Sequence, residues 1–193
     1  HRDLHSFPTR RSSDLDQNGR IRPFFIFLIM GKKDQKILEN RYLVVPRTLI
    51  FLYHQNEILL LHGAKDKKIW SGLYNGVGGH IERGETILEA AHRELYEETG
   101  IENISLRLKG LISIDVEPEK GINIFIFTGA VDNKNVVPSD EGDLEWVKLD
   151  KISDYPLVED LYTLIPKITA ASDEILFAKY LYVEEKLKIV FES

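Results

Sequence analysis

Glu94, Glu97 and Glu98 stand at i, i+3 and i+4 of one apolar-periodic stretch. They follow a run in which Gly72, Gly76, Gly78 and Gly79 fall within eight residues. At 100° per residue the three carboxylates share a helical arc of about 100°. Each like-charged pair at that spacing costs roughly 0.2–0.5 kcal/mol in an isolated helix, and partial burial raises the cost. Arg93, four residues before Glu97, offsets part of it. Oxygen donors clustered without a thiolate suit a hard divalent ion, Mg²⁺ or Mn²⁺. Taken alone, the helix fits a solvated acidic face better. The glycines before it shift the reading, because they let backbone, metal and phosphate come close together.

Several elements must position these groups. Thr86 suits the helix N-cap, with Glu89 completing a capping box, and Gly100 suits the left-handed residue past its end. Ile87, Leu88, Ala91 and Leu95 form the expected buried stripe; Glu89, His92 and Tyr96 are expected to face out. Arg47–Gln55 and Glu57–Leu61 read as a strand pair around Gln55-Asn56. Ser105–Val116 and Gly121–Val131 read as strands around Glu117–Lys120, and Leu144–Leu149 as a short strand. Leu157–Ala171 has helical spacing, with Pro166 predicting a kink or break. Phe177–Val183 and Leu187–Phe191 read as a closing hairpin. Strands mixed with two helices imply an α/β domain whose helices cover a largely mixed sheet.

Composition narrows the function. A chain of 193 residues suits one ordinary domain, and 43% hydrophobic with 29% charged residues is a globular balance. The net charge of −6 argues against binding long nucleic acid; a small anion remains compatible through local cations or a metal. The absence of cysteine excludes disulfides, thiolate metal sites and thiol nucleophiles, and fits a reducing, cytoplasmic compartment. The apolar run Pro23–Met30 is too short to span a bilayer, and no small-residue cleavage site follows it. Residues 1–15 lack periodicity and resemble translated sequencing-adapter sequence. Met30 is the sole methionine. We therefore expect residues 1–29 to be a non-native or disordered extension and residues 30–193 to be the single domain.

The residues then spell a family pattern. Gly79, five residues to Glu85, seven to Arg93-Glu94-Leu95, one to Glu97-Glu98 and one to Gly100-Ile101 resemble the Nudix box without departure. The resemblance implies a Nudix-type α/β/α sandwich and a diphosphohydrolase acting on a small nucleotide, either monomeric or homodimeric. Tyr74-Asn75-Gly76-Val77-Gly78-Gly79, Ser139-Asp140-Glu141 with Glu145-Trp146, and the closing hairpin resemble the oxidised-purine triphosphatase branch, which sanitises nucleotide pools. That branch converts 8-oxo-dGTP-like substrates to monophosphate and pyrophosphate.

By this resemblance Glu94, Glu97, Glu98, the Gly79 carbonyl and Glu141 would hold Mg²⁺, with Mn²⁺ as a substitute. Glu98 or Glu94 would be the general base. Arg93 would orient Glu97, and Glu85 would anchor the helix start. Asn75 and the pair Glu159-Asp160 would read the base, although Glu159 departs from the Asp-Asp pair of that branch. A solvated helix start fits residues 159–160 equally well. Trp146 is expected in the core. Lys65, Lys67 and Lys68 are expected on a solvated loop, and His80 fits either phosphate or solvent. Two other functions fit the same pattern: another diphosphate substrate, such as a nucleotide sugar, a dinucleoside polyphosphate or capped RNA, or a non-catalytic sensing module. The intact Glu94, Glu97 and Glu98 set disfavours the sensor.

Overall fold

The structure is a computed structural model that describes residues 41–64, 70–137, 139–184 and 186–192. The front segment 1–29, and with it the expected domain boundary, lies outside the described residues. Eight strands form one mixed sheet, β1 (Leu43–His54), β2 (Glu57–Gly63), β3 (Tyr74–Asn75), β4 (Arg107–Glu117), β5 (Lys120–Ala130), β6 (Gly142–Lys148), β7 (Leu176–Val183) and β8 (Lys186–Phe191). Among the described residues two helices accompany them, α1 (Ile87–Thr99) and α2 (Leu161–Thr169), with a 3-10 turn at Leu149–Asp154. The strand order is β3-β2-β1-β5-β4-β7-β8, and β6 lies along β2. Among the described residues no helix is long and apolar enough to cross a membrane.

Strand β1 is the centre of the sheet, and its composition explains why. Leu49, Ile50, Phe51 and Leu52 are an unbroken apolar run, as a strand covered on both faces requires. β1 pairs in parallel with β5 from Leu43↔Lys120 to Tyr53↔Ala130. Successive side chains point to opposite faces, so the run divides between two cores. Ile50 and Leu52 join Leu59, Val77 and Phe127 beneath Ala91 and Leu95 of α1. Leu49 and Phe51 join Ile58, Leu60, Ile112 and Ile126 against Leu161, Leu164, Ile165 and Ile168 of α2. One helix on each face of a mixed sheet is the expected sandwich.

The expected strand pair β1–β2 forms only at its turn, through Tyr53↔Ile58 and His54↔Glu57. Along its other edge β2 pairs with β6 over its whole length, from Glu57↔Lys148 to Gly63↔Gly142. The free edge of β1 is filled by the glycine run: Val77 exchanges backbone hydrogen bonds with Ile50, and Thr48 N–H donates to the Gly79 carbonyl at 2.8 Å. The catalytic-looking loop is thus stitched to the central strand.

Both helices differ from expectation at one end. In α1 the buried residues are Ala90, Ala91, Leu95, Glu98 and Thr99, while Ile87 and Leu88 are 38% and 45% exposed. Ala90 and Ala91 meet the sheet and Glu98 turns inward, while the first turn, carrying Ile87 and Leu88, stays exposed. Helix α2 begins at Leu161, not Leu157, because Tyr74 N–H donates to Pro156 O and Val158 N–H donates to Tyr74 O. Those strand-like bonds hold residues 156–158 out of a helix. Pro166 sits inside α2 on its exposed side, and the helix ends three residues later.

Candidate active site

Helix α1 carries the acidic groups, and local chemistry defines its ends. Thr86 Oγ1 accepts from Glu89 N–H at 3.2 Å, while Glu89 Oε2 accepts from Thr86 N–H at 2.8 Å. At the other end Gly100 is left-handed, φ 71°, and its N–H donates to Tyr96 O. Full burial of Leu95 contributes about 1.5–3 kcal/mol to docking this helix. Glu98, one turn further on, is consequently carried into the interior and is 6% exposed.

The glycine run meets these carboxylates directly. Gly78 N–H donates to Glu98 Oε2 at 3.1 Å. At Gly78, φ is +145° and a β-carbon would fall 2.3 Å from the Thr48 carbonyl oxygen, so no other residue fits there without strain. At Gly79 a β-carbon would fall 2.5 Å from Glu94 Oε1. That glycine leaves the space which the Glu94 carboxylate fills. The Gly79 carbonyl, an expected metal ligand, accepts the Thr48 N–H and keeps one lone pair.

Arg93 ties the remaining acids together. Its Nε and Nη2 donate to both oxygens of Glu85, at 2.6 and 3.0 Å. Its Nη1 donates to Glu94 Oε1 at 2.9 Å and Glu97 Oε2 at 3.1 Å, and Nη2 also reaches the His80 carbonyl at 3.0 Å. Arg93 therefore orients Glu94 and anchors Glu85 as well as meeting Glu97. Two hydrogen bonds from Arg93, reinforced by the Glu82 N–H, hold the Glu85 carboxyl down to about 2. The same Glu85 bonds raise the Arg93 guanidinium above its ordinary value.

A pH test follows from that pair. Glu85 has a folded pKa below its ordinary 4.5, so its stabilising effect is complete above about 4.5 and fades as pH falls toward about 2. The difference in Tm between the parent and Glu85→Gln is expected to be constant near neutrality. It should shrink below pH of about 4.5 and vanish near pH of about 2. Melting curves across that range that show a constant gap would exclude the ion pair as its origin.

One guanidinium set against Glu85, Glu94, Glu97 and Glu98 leaves a surplus of negative charge. Among the described residues no three His, Asp or Glu side chains yet converge as a ligand set. Glu94 Oε2 and Glu97 Oε1 accept no hydrogen bond from the described residues. Hard oxygens, surplus charge and uncommitted carboxylate atoms on one helix face fit a divalent cation. Glu141 lies in the turn opening β6, where its carbonyl accepts from Ala64 N–H just beyond β2. The Gly79 loop, bonded to Thr48, lies at the same end of the sheet, remote from the β1–β2 turn at residues 55–56. Lys65, Lys67 and Lys68 lie outside the described residues.

The expected base-reading residues follow one bridge along their two chains. Tyr74 and Leu157 form a parallel bridge, so both chains leave it in the same direction, one toward Asn75 and the other toward Glu159-Asp160. Asn75 Oδ1 accepts from Gly76 N–H at 2.8 Å, leaving its amide N–H groups to donate. Glu159 is exposed, whereas Asp160 is turned inward. Trp146 packs at the margin of the α1-side core and donates to Lys134 O. His80 Nε2 accepts from Arg47 Nε at 3.2 Å.

Sequence reasoning missed several contacts of this region. Tyr74 and Tyr155 both donate to Glu145, at 2.6 and 2.8 Å, and clamp the bridge before Asn75. Tyr180 donates to Asp160 at 3.1 Å. Period-2 alternation of β7 would have placed Tyr180 inward, but nothing local names its partner.

Comparison with known proteins agrees with this geometry. The NUDIX domain pattern matches residues 44–168. The chain is 33% identical over 106 residues to the oxidized purine nucleoside triphosphate hydrolase of Mus musculus, covering 54% of this chain and 67% of that one. It is 34% identical to the Danio rerio protein of the same name, with the same coverage. Its fold superposes on a MutT protein from Bacillus halodurans with a TM-score of 0.66 and 26% identity, covering 77% of this chain and 98% of the other. The match to the domain over most of the chain, the box on α1 and the shared sandwich together place this protein in the Nudix family, as a diphosphohydrolase of nucleoside diphosphate derivatives.

Proposed function

We propose that the enzyme hydrolyses oxidised purine nucleoside triphosphates, of which 8-oxo-dGTP is the type, to the monophosphate and pyrophosphate with Mg²⁺. The Tyr74–Leu157 bridge supports this reading, because it pairs the strand that enters Asn75 with the stretch that leads to Asp160, at one margin of the sheet. An amide donor and a carboxylate acceptor at that margin suit the mixed donor and acceptor edge of an oxidised purine. The similarity to the two oxidized purine nucleoside triphosphate hydrolases supports the same substrate class.

Glu94, Glu97 and Glu98, with the Gly79 carbonyl and Glu141, would hold the metal. Bound there, a divalent ion would stabilise charge on the diphosphate and acidify an attacking water. Glu98 or Glu94 takes the proton from that water. Arg93 keeps Glu94 and Glu97 from splaying, and Glu85 keeps Arg93 in place. Asn75, Glu159 and Asp160 bind the base. A cysteine-free chain supports a cytoplasmic setting.

The test is a panel of nucleotide di- and triphosphates assayed with Mg²⁺ for phosphate and pyrophosphate release. 8-oxo-dGTP is expected to give the highest kcat/KM, at least about tenfold above dGTP, a margin equal to about 1.4 kcal/mol. A preference for ADP-ribose, a dinucleoside polyphosphate or capped RNA would move the enzyme to another substrate class. No turnover of any member would favour a sensing module.

A further inference from the structure

Asp160 carries a carboxylate whose placement the fold does not require. It stands at the N-cap of α2 with helical φ −68° and ψ −26°, not in the extended conformation from which a capping side chain turns back onto first-turn N–H groups. Asp160 makes no such side-chain cap bond. Its Oδ2 instead accepts the hydroxyl of Tyr180 on β7 at 3.1 Å, and Tyr180 is 3% exposed. Burial pushes the Asp160 carboxyl up, and the Tyr180 hydroxyl with the backbone N–H groups of Asp160 and Leu161 draws it part of the way back. No cation pairs with Asp160 among the described residues, and its Oδ1 receives no side-chain hydrogen bond from them. A desolvated carboxylate without a counter-ion costs stability. The tyrosine clamps Oδ2, and no side chain among the described residues occupies Oδ1.

We propose that Tyr180 is a positioning residue for nucleobase recognition: its hydroxyl fixes Oδ2 of Asp160 so that Oδ1 accepts an N–H group on the edge of the base. This rests on the reading of Asp160 as a base-binding residue. Tyr180 lies in the core on the α2 side, whereas α1 and its acidic face lie on the opposite side of the sheet. Its influence is therefore confined to the base.

Steady-state kinetics of the full chain with 8-oxo-dGTP and with an abasic deoxyribose triphosphate separate the possibilities. Tyr180→Phe keeps the packed ring and removes the hydroxyl. KM for 8-oxo-dGTP is expected to rise about tenfold, the scale of one lost hydrogen bond, with kcat within twofold and the abasic substrate unaffected. Asp160→Ala should raise the same KM at least as far, and adding Tyr180→Phe to it should change nothing more. If Asp160→Ala leaves the ratio of the two substrates unchanged, the base-binding reading of Asp160 falls, and the Tyr180 role falls with it. If Asp160→Ala shifts the ratio but Tyr180→Phe does not, the tyrosine proposal alone is overturned. An equal rise for both substrates, or a further loss in the double variant, would make Tyr180 a packing residue. Should Tyr180→Phe fold poorly, Asp160→Asn, tested in the parent background, is expected to raise KM for 8-oxo-dGTP selectively. An unchanged KM there would equally overturn the clamp.

Discussion

Glu98→Gln is expected to lower kcat at least about 100-fold, the range for losing a general base or a metal-linked carboxylate, with no loss of thermal stability. Glu98 is nearly buried in the last turn of α1, and its Oε2 accepts the Gly78 N–H. Glutamine retains a carbonyl oxygen for that bond and almost the same volume, so the helix and the glycine loop keep their contact. What disappears is the negative charge. Removing one of several like charges on this arc relieves repulsion with Glu94, so Tm should stay level or rise. Kinetics beside melting curves decide the matter. Activity within about threefold of the parent would remove Glu98 from the chemistry, while a fall in Tm that tracks the fall in kcat would make it structural.

The legibility of this molecule in its sequence follows the range of each interaction. Both ends of α1 could be read because Thr86, Glu89 and Gly100 act within a single turn. The two-sided burial of β1 could be read because Leu49–Leu52 leave no polar position for solvent. The exposure of the first turn of α1 could not. Ile87 and Leu88 have the apolarity of core residues, yet Ala90 and Ala91 are what the sheet accepts. Which of them is buried depends on how closely the helix can approach the sheet. The start of α2 was misplaced for a similar reason: Leu157 pairs with Tyr74, a partner 83 residues away that helical periodicity does not encode.

The acidic site divides along the same line. Glu94, Glu97 and Glu98 announce themselves by spacing, because i, i+3 and i+4 share a face on any helix. The expectation that Arg93 serves Glu97 follows the same local rule, and that contact exists at 3.1 Å. Its strongest tie is to Glu85 before the helix, which depends on how the chain enters Thr86. Tyr180 with Asp160, and Arg47 with His80, join separate elements and carried no signal in either stretch alone.

Gly79→Ala is expected to lower activity about 100-fold while leaving the protein folded, and Gly78→Ala is expected to do the reverse in emphasis. The two glycines are neighbours, but what confronts an added methyl differs. At Gly79 the methyl meets Glu94 Oε1 at 2.5 Å, with Cδ and Oε2 at 2.7 Å. Those atoms end a flexible side chain, so the carboxylate swings aside at little cost to folding. The displacement is of the order of an ångström at a group proposed to hold the metal, and misplacements of that size in a catalytic site cost about 10²-fold. At Gly78 the methyl meets the Thr48 carbonyl oxygen at 2.3 Å and the backbone stands at φ +145°. Neither β1 nor the loop can yield without breaking the Thr48–Gly79 and Ile50–Val77 bonds. Strain of that kind costs several kcal/mol, so Gly78→Ala should drop Tm sharply. Paired melting and kinetic measurements resolve the two. If Gly79→Ala retains parental kcat, the close approach of backbone to Glu94 is incidental to catalysis.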